Sequence, residues 1–74
     1  MGRLLRLDRT GHTTLAEWTP QDDAETRRAQ ETLALELERG LIASATLEDG
    51  SAEVVRELPV DAELVMLRRP IVGG

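Results

Sequence analysis

The stretch TPQDDAETRRAQETLALELERG, Thr19 to Gly40, carries a helix start, an amphipathic body and a helix stop. Thr19, followed by Pro20 and by an acid three residues on, predicts an N-cap with proline in the first turn, where its missing N–H is no loss. Asp22, Asp23 and Glu25 then meet the positive end of the helix dipole. Thr26, Ala29, Leu33 and Leu37 form one stripe, while Arg27/Glu31, Glu25/Arg28 and Glu36/Arg39 are spaced to pair on exposed faces. Gly40 ends the helix just past Arg39, because glycine takes the left-handed conformation that a C-terminal cap requires. The chain therefore offers a single helix, to be packed on whatever its flanks build.

Both flanks read as strands. Arg3–Leu7 alternates, with Leu5 and Leu7 on one side and Leu4 and Arg6 on the other. Asp8-Arg9-Thr10-Gly11-His12 has turn chemistry, His12 sits at the tip as a solvated residue, and Thr13–Trp18 returns as a second strand. After the helix, Leu41–Leu47 alternates with Leu41, Ala43, Ala45 and Leu47 inward. A turn at Glu48–Ser51 leads to a weaker strand, Ala52–Leu58, and the Pro59–Ala62 linker leads to Glu63–Arg68. Leu64–Leu67 is unbroken apolar sequence, suited to a central strand, and Pro70 stops its continuation.

Seventy-four residues make one domain, and the absence of cysteine leaves burial alone to hold it. The apolar share of 41% includes one aromatic, Trp18, so the core is aliphatic around a single tryptophan. A net charge of −5 disfavours nucleic acid, and a lone histidine without cysteine disfavours a zinc centre. Neither an apolar leader nor a run of about 20 apolar residues is present, so a cytoplasmic, non-membrane monomer is the expectation. All nine basic side chains are arginine.

The order hairpin, helix, hairpin, strand admits few compact arrangements. We expect an α+β fold of the β-grasp type, a mixed sheet of four to five strands on one helix, with the first and last strands parallel at its centre. Residues 1–68 form the domain, and residues 69–74, Arg69-Pro70-Ile71-Val72-Gly73-Gly74, an extended tail delivered from the sheet's middle. In order, size and diglycine ending the chain resembles ubiquitin-like proteins and the sulfur carriers of thiamin and molybdopterin synthesis. The Pro70-Ile71-Val72-Gly73-Gly74 ending is similar to that of the sulfur carriers, although Val72 replaces their usual small residue and Pro70 is single. Leu67-Arg68-Arg69 resembles ubiquitin's arginine-bearing approach. The mixture looks most like bacterial ubiquitin-like modifiers encoded beside activating enzymes.

The resemblance implies a substrate rather than an enzyme. Gly74 and Gly73 would thread a narrow channel in an adenylating, ubiquitin-activating-like enzyme, which would supply ATP and magnesium; the chain itself binds no cofactor. A conjugating enzyme and a deconjugating protease are the further implied partners. Arg68 and Arg69 would meet the enzyme's carboxylates, Pro70 would stiffen the exit, and Ile71 and Val72 would be buried in the partner. Counting back from the diglycine turns Val65 and Leu67 toward the helix and leaves Met66 and Arg68 on the open face beside Leu4 and Arg6. Leu64 and Met66 inward fits the periodicity equally well. Activation for protein modification, sulfur transfer through a thiocarboxylate, and a β-grasp interaction module without covalent chemistry remain three readings of one sequence.

Overall fold

A computed structural model of the protein describes residues 1–47 and 49–70. Five strands and one helix run in the order β1 (Gly2–Asp8), β2 (Gly11–Trp18), α1 (Asp23–Glu38), β3 (Ile42–Thr46), β4 (Ala52–Val55) and β5 (Leu64–Arg68). The strands form one mixed sheet in the order β2-β1-β5-β3-β4. β1 and β5 are parallel neighbours at its centre, and every other pairing is antiparallel. This is the expected α+β arrangement, consistent with a β-grasp fold.

The helix begins later than the sequence pattern implies. Thr19-Pro20-Gln21-Asp22 closes a turn in which the Asp22 N–H donates to the Thr19 carbonyl at 2.9 Å. That turn leaves Asp22 extended, and its carboxylate, not the Thr19 hydroxyl, accepts from the Glu25 N–H at 3.0 Å. Glu25 in turn reaches back past the cap to accept from the Thr19 N–H, so the reciprocal bonding of a capping box encloses the whole turn. At the other end Gly40 stops the helix as expected, with φ at +91°. The Gly40 N–H donates to the Leu37 carbonyl at 3.0 Å and the Leu41 N–H to the Glu36 carbonyl at 3.3 Å, the paired bonds of a Schellman cap.

The core lies between the helix and one sheet face. Ala29 and Leu33 of α1 meet Leu4, Val65, Leu67, Ala43 and Ala45, all essentially without exposure, and Trp18 closes one end. Trp18 is fully buried and its indole N–H donates to the Val60 carbonyl at 2.9 Å, which ties the linker before β5 to the first hairpin. The same linker is fixed to the helix by the Leu58 N–H donating to Gln30 Oε1 at 2.7 Å. In β2 the register slips: Leu4 faces Ala16 and Leu5 faces Thr14, so Leu15 is an extra residue, and both Leu15 and Ala16 turn onto the core. Leu47 lies past the end of β3 and is exposed, and β4 stops at Val55, short of the expected Leu58. His12 lies within β2 opposite Leu7, two residues beyond the Arg9-Thr10 turn.

Gly2 is buried for a steric reason. A Cβ there would overlap the Trp18 ring and lie 2.8 Å from the Ala62 carbonyl oxygen, in backbone that cannot withdraw without moving β5. Gly2→Ala is expected to cost about 1–3 kcal/mol, the range for overpacking a tight site. Urea unfolding followed by the fluorescence of the single tryptophan measures it; an unchanged midpoint would mean that the β1–linker contact is looser than described.

Candidate functional site

Because β1 and β5 are parallel, their C-terminal ends emerge at one end of the sheet. β3 runs the opposite way, so its first residue, Ile42, lies opposite Arg68 there. The helix also finishes at this end, since only the cap residues Arg39-Gly40-Leu41 separate it from β3. The hairpin turn after Asp8, the helix C-terminus and Arg69 therefore converge. They surround an open groove of about 1060 Å³ lined by Arg6, Arg9, Arg39, Arg69, Asp8 and Glu36, among others.

The floor of this groove is an ion pair. Arg6 Nη1 donates to Glu36 Oε1 at 3.2 Å, with Arg39 Nη1 3.8 Å from the same oxygen. Glu36 is 6% exposed, and its other oxygen, Oε2, is buried with no hydrogen-bond partner among the described residues. At the rim, the Thr10 hydroxyl and N–H both donate to Asp8 Oδ1, at 2.7 and 2.8 Å. These bonds, the hydroxyl's first, hold the Asp8 carboxyl below the usual aspartate value. Among the described residues no group of His, Cys, Asp or Glu is arranged to hold a metal.

The candidate partner face divides differently from the sequence expectation. Val65 and Leu67 point to the helix, as counted back from the diglycine, and Met66 and Arg68 lie on the open face. Their neighbours on β1, however, are Leu5 and Leu7. Leu4 is 0% exposed within the core, and Arg6 turns under the helix to meet Glu36. The parity expected for β1 is thus inverted. Leu5 and Leu7 suggested the inward side because they outnumber Leu4, but an inward arginine is tolerated when a carboxylate waits for it. Leu5 is nevertheless only 6% exposed, since Met66 lies directly beside it on β5 and Thr14 on β2. Arg69 and Pro70 are exposed after the strand. Ile71, Val72, Gly73 and Gly74 lie outside the described residues.

Three contributors went unseen in the sequence: Glu36, read as a surface partner of Arg39; Arg39 itself as part of a groove; and Arg9. A signal for the first existed. Glu36 follows Leu33 by three residues on the inward stripe, and Arg6 alternates with Leu4 on one side of the first strand. Comparison with protein-family models, curated proteins and solved structures finds no match to this chain.

The Arg6–Glu36 pair generates a paired test. Glu36→Leu alone strands the Arg6 charge and should cost about 2–4 kcal/mol, below the ~3–5 of a fully enclosed pair because Arg6 is 34% exposed. Arg6→Met with Glu36→Leu should recover most of that loss in the same denaturation assay. The Asp8 bonds make a second prediction. A carboxylate with a depressed folded pKa adds stability above its unfolded pKa, and this is lost as pH falls through the folded value. Thr10→Val should therefore raise the Asp8 midpoint, followed by carboxyl carbon NMR, and shift the acid-side loss of stability to higher pH.

Proposed function

We infer that this protein is a ubiquitin-like modifier or carrier, a substrate whose reactive group is the Gly74 carboxylate. The observation that carries the reading is the central, parallel β5 strand. It ends in the middle of the sheet rather than at an edge, and Arg69 and Pro70 leave it at the end where arginines gather. A segment leaving from the centre has a root fixed on both sides, by β1 and β3, so a partner that grips the domain also knows where the segment points.

In this reading a Gly74 carboxylate oxygen attacks the α-phosphorus of ATP on an activating enzyme. An acyl–phosphate bond forms and pyrophosphate leaves. A cysteine thiolate of the enzyme then attacks the acyl carbon, AMP departs, and the thioester passes the acyl group to an amine of the target with return of the thiolate. Gly73 and Gly74 allow close backbone approach, since neither carries a Cβ. Pro70 narrows the conformations open to the exit, and Arg68 and Arg69 offer planar donors to the enzyme's carboxylates. Met66 on the open face, beside Leu5, supplies an apolar contact for the same partner. Pro70 followed by the aliphatic Ile71 and the closing Gly73-Gly74 also supports sulfur transfer, in which sulfide displaces AMP and leaves a thiocarboxylate.

Incubation with ATP, magnesium and an adenylating enzyme from the same genome, read by intact mass, tests the proposal. Wild type should give a thioester on an enzyme cysteine, or a terminal oxygen replaced by sulfur when a sulfide source is added. Gly74→Trp should fold with the wild-type unfolding midpoint and give neither. Unmodified wild-type mass under all conditions would overturn the reading for that enzyme.

A further inference from the structure

The groove at the end of the sheet has a composition at odds with the rest of the molecule. The chain carries a net charge of −5, yet four of its nine basic residues, Arg6, Arg9, Arg39 and Arg69, line this one groove against only Asp8 and Glu36. They come from four places: the body of β1, the hairpin turn, the helix cap and the residue after β5. Arg6 is committed to Glu36, whereas Arg39 is 69% exposed and touches Glu36 only at 3.8 Å. Side chains of one charge are gathered here by the topology, with more donors than the carboxylates of the described residues occupy.

Glu36 adds an independent sign of a ligand. A carboxylate accepts on both oxygens, but Oε2 is buried without a donor among the described residues. Leaving a buried charged acceptor unmet is costly, and such an atom in a groove wall marks a place where a donor belongs. The site thus asks for two things at once, carboxylate-like acceptors for the arginines and an N–H for Glu36.

We propose that this groove docks an extended acidic segment of another protein, with Arg9, Arg39 and Arg69 taking its side-chain carboxylates and Glu36 Oε2 accepting one of its backbone N–H groups. The guanidinium fork matches a carboxylate with two parallel bonds. A polyphosphate, or the backbone of a nucleic acid, presents phosphate oxygens, which accept but do not donate, so it would leave Oε2 unmet and add repulsion; the net negative charge of the protein opposes either polyanion as well. The groove is open and broad, which suits a strand of peptide laid across it more than a small molecule enclosed by it. Docking requires the wall around Oε2 to open, and the exposed side chain beside it is Arg39, 3.8 Å from the neighbouring Oε1. The proposal stands whether or not Gly74 is activated, because it concerns only the folded body and Arg69.

The test uses wild-type protein and a fluorescein-labelled peptide of alternating glutamate and alanine. Its counterparts are an ester-linked version lacking backbone N–H groups and a single-stranded oligonucleotide of equal charge. Anisotropy gives the affinity, and ¹⁵N NMR shifts locate it. The amide peptide should move the resonances of Arg9, Arg39, Leu41 and Arg69. The ester version should bind about tenfold more weakly, the equivalent of ~1.4 kcal/mol, and the oligonucleotide more weakly still. Arg39→Ala with Arg69→Ala, both exposed positions, should weaken the amide peptide at least about tenfold, as expected for losing charge-assisted bonds. Equal binding of amide and ester peptides, tighter binding of the oligonucleotide, shifts confined to the open face around Arg3 and Arg68, or no shifts at all would each overturn the proposal. None of these measurements involves ATP or an activating enzyme, so their failure leaves the Gly74 reading where it was.

Discussion

The parallel pairing of β1 with β5 is the constraint on which the rest of the molecule depends. Two strands distant in sequence lie side by side at the sheet's centre, so each loses both hydrogen-bonding edges and one face to the protein. Once that pair is set, β2 must fold back on the outside of β1, β3 must lie against β5, and the helix must cross one face. The buried residues of both strands, Leu4, Val65 and Leu67, then supply the surface on which Ala29 and Leu33 rest. Gly2 and Trp18 lock the start of the pair, since there is no room for a side chain between that ring and the Ala62 carbonyl.

At the opposite end of the same pair the packing is not apolar. Arg6 occupies a position whose register partner on β5, Leu67, faces the core, and Glu36 meets it from the helix. Burying charge has a desolvation cost that the mutual attraction only partly offsets, so the pair is weak evidence of stabilisation. What it does contribute is discrimination. A helix rotated by one residue would take Glu36 away from Arg6 and leave both charges unmet. The pair thereby sets the helix's rotation where the aliphatic stripe, with Leu37 only partly buried, tolerates more than one angle.

This polar end is also where the chain's exits gather, so the helix cap, the hairpin turn and the residues after β5 share one surface. Elements far apart in sequence thus act through common charges: Glu36 holds Arg6 and stands near Arg39, and Arg69 lines the groove beside them. The open face is chemically different, with Met66 packed by Leu5 and flanked by Ser44 on β3. The protein presents two surfaces of distinct character on either side of β5, one of arginine and one of mixed apolar side chains.

Most of the architecture was legible in the sequence, because it rests on local rules. Gly40 had to end the helix through its left-handed backbone, Leu64–Leu67 had to be central because it has no polar side, and alternation fixed Ala43 and Ala45 inward. The N-cap was displaced to Asp22 because a turn, invisible to a search for capping residues, consumed the first candidate. The facing of β1 was misread for a deeper reason. Alternation separates apolar from charged positions only where charges must avoid the core, and Arg6 need not avoid it when Glu36 lies opposite. By itself, then, the sequence determined which segments are strands and helix and where they stop, since those depend on neighbours along the chain. Only the tertiary structure decided which side of β1 is buried and that four arginines share a groove, because both depend on charges brought together across thirty or more residues of chain.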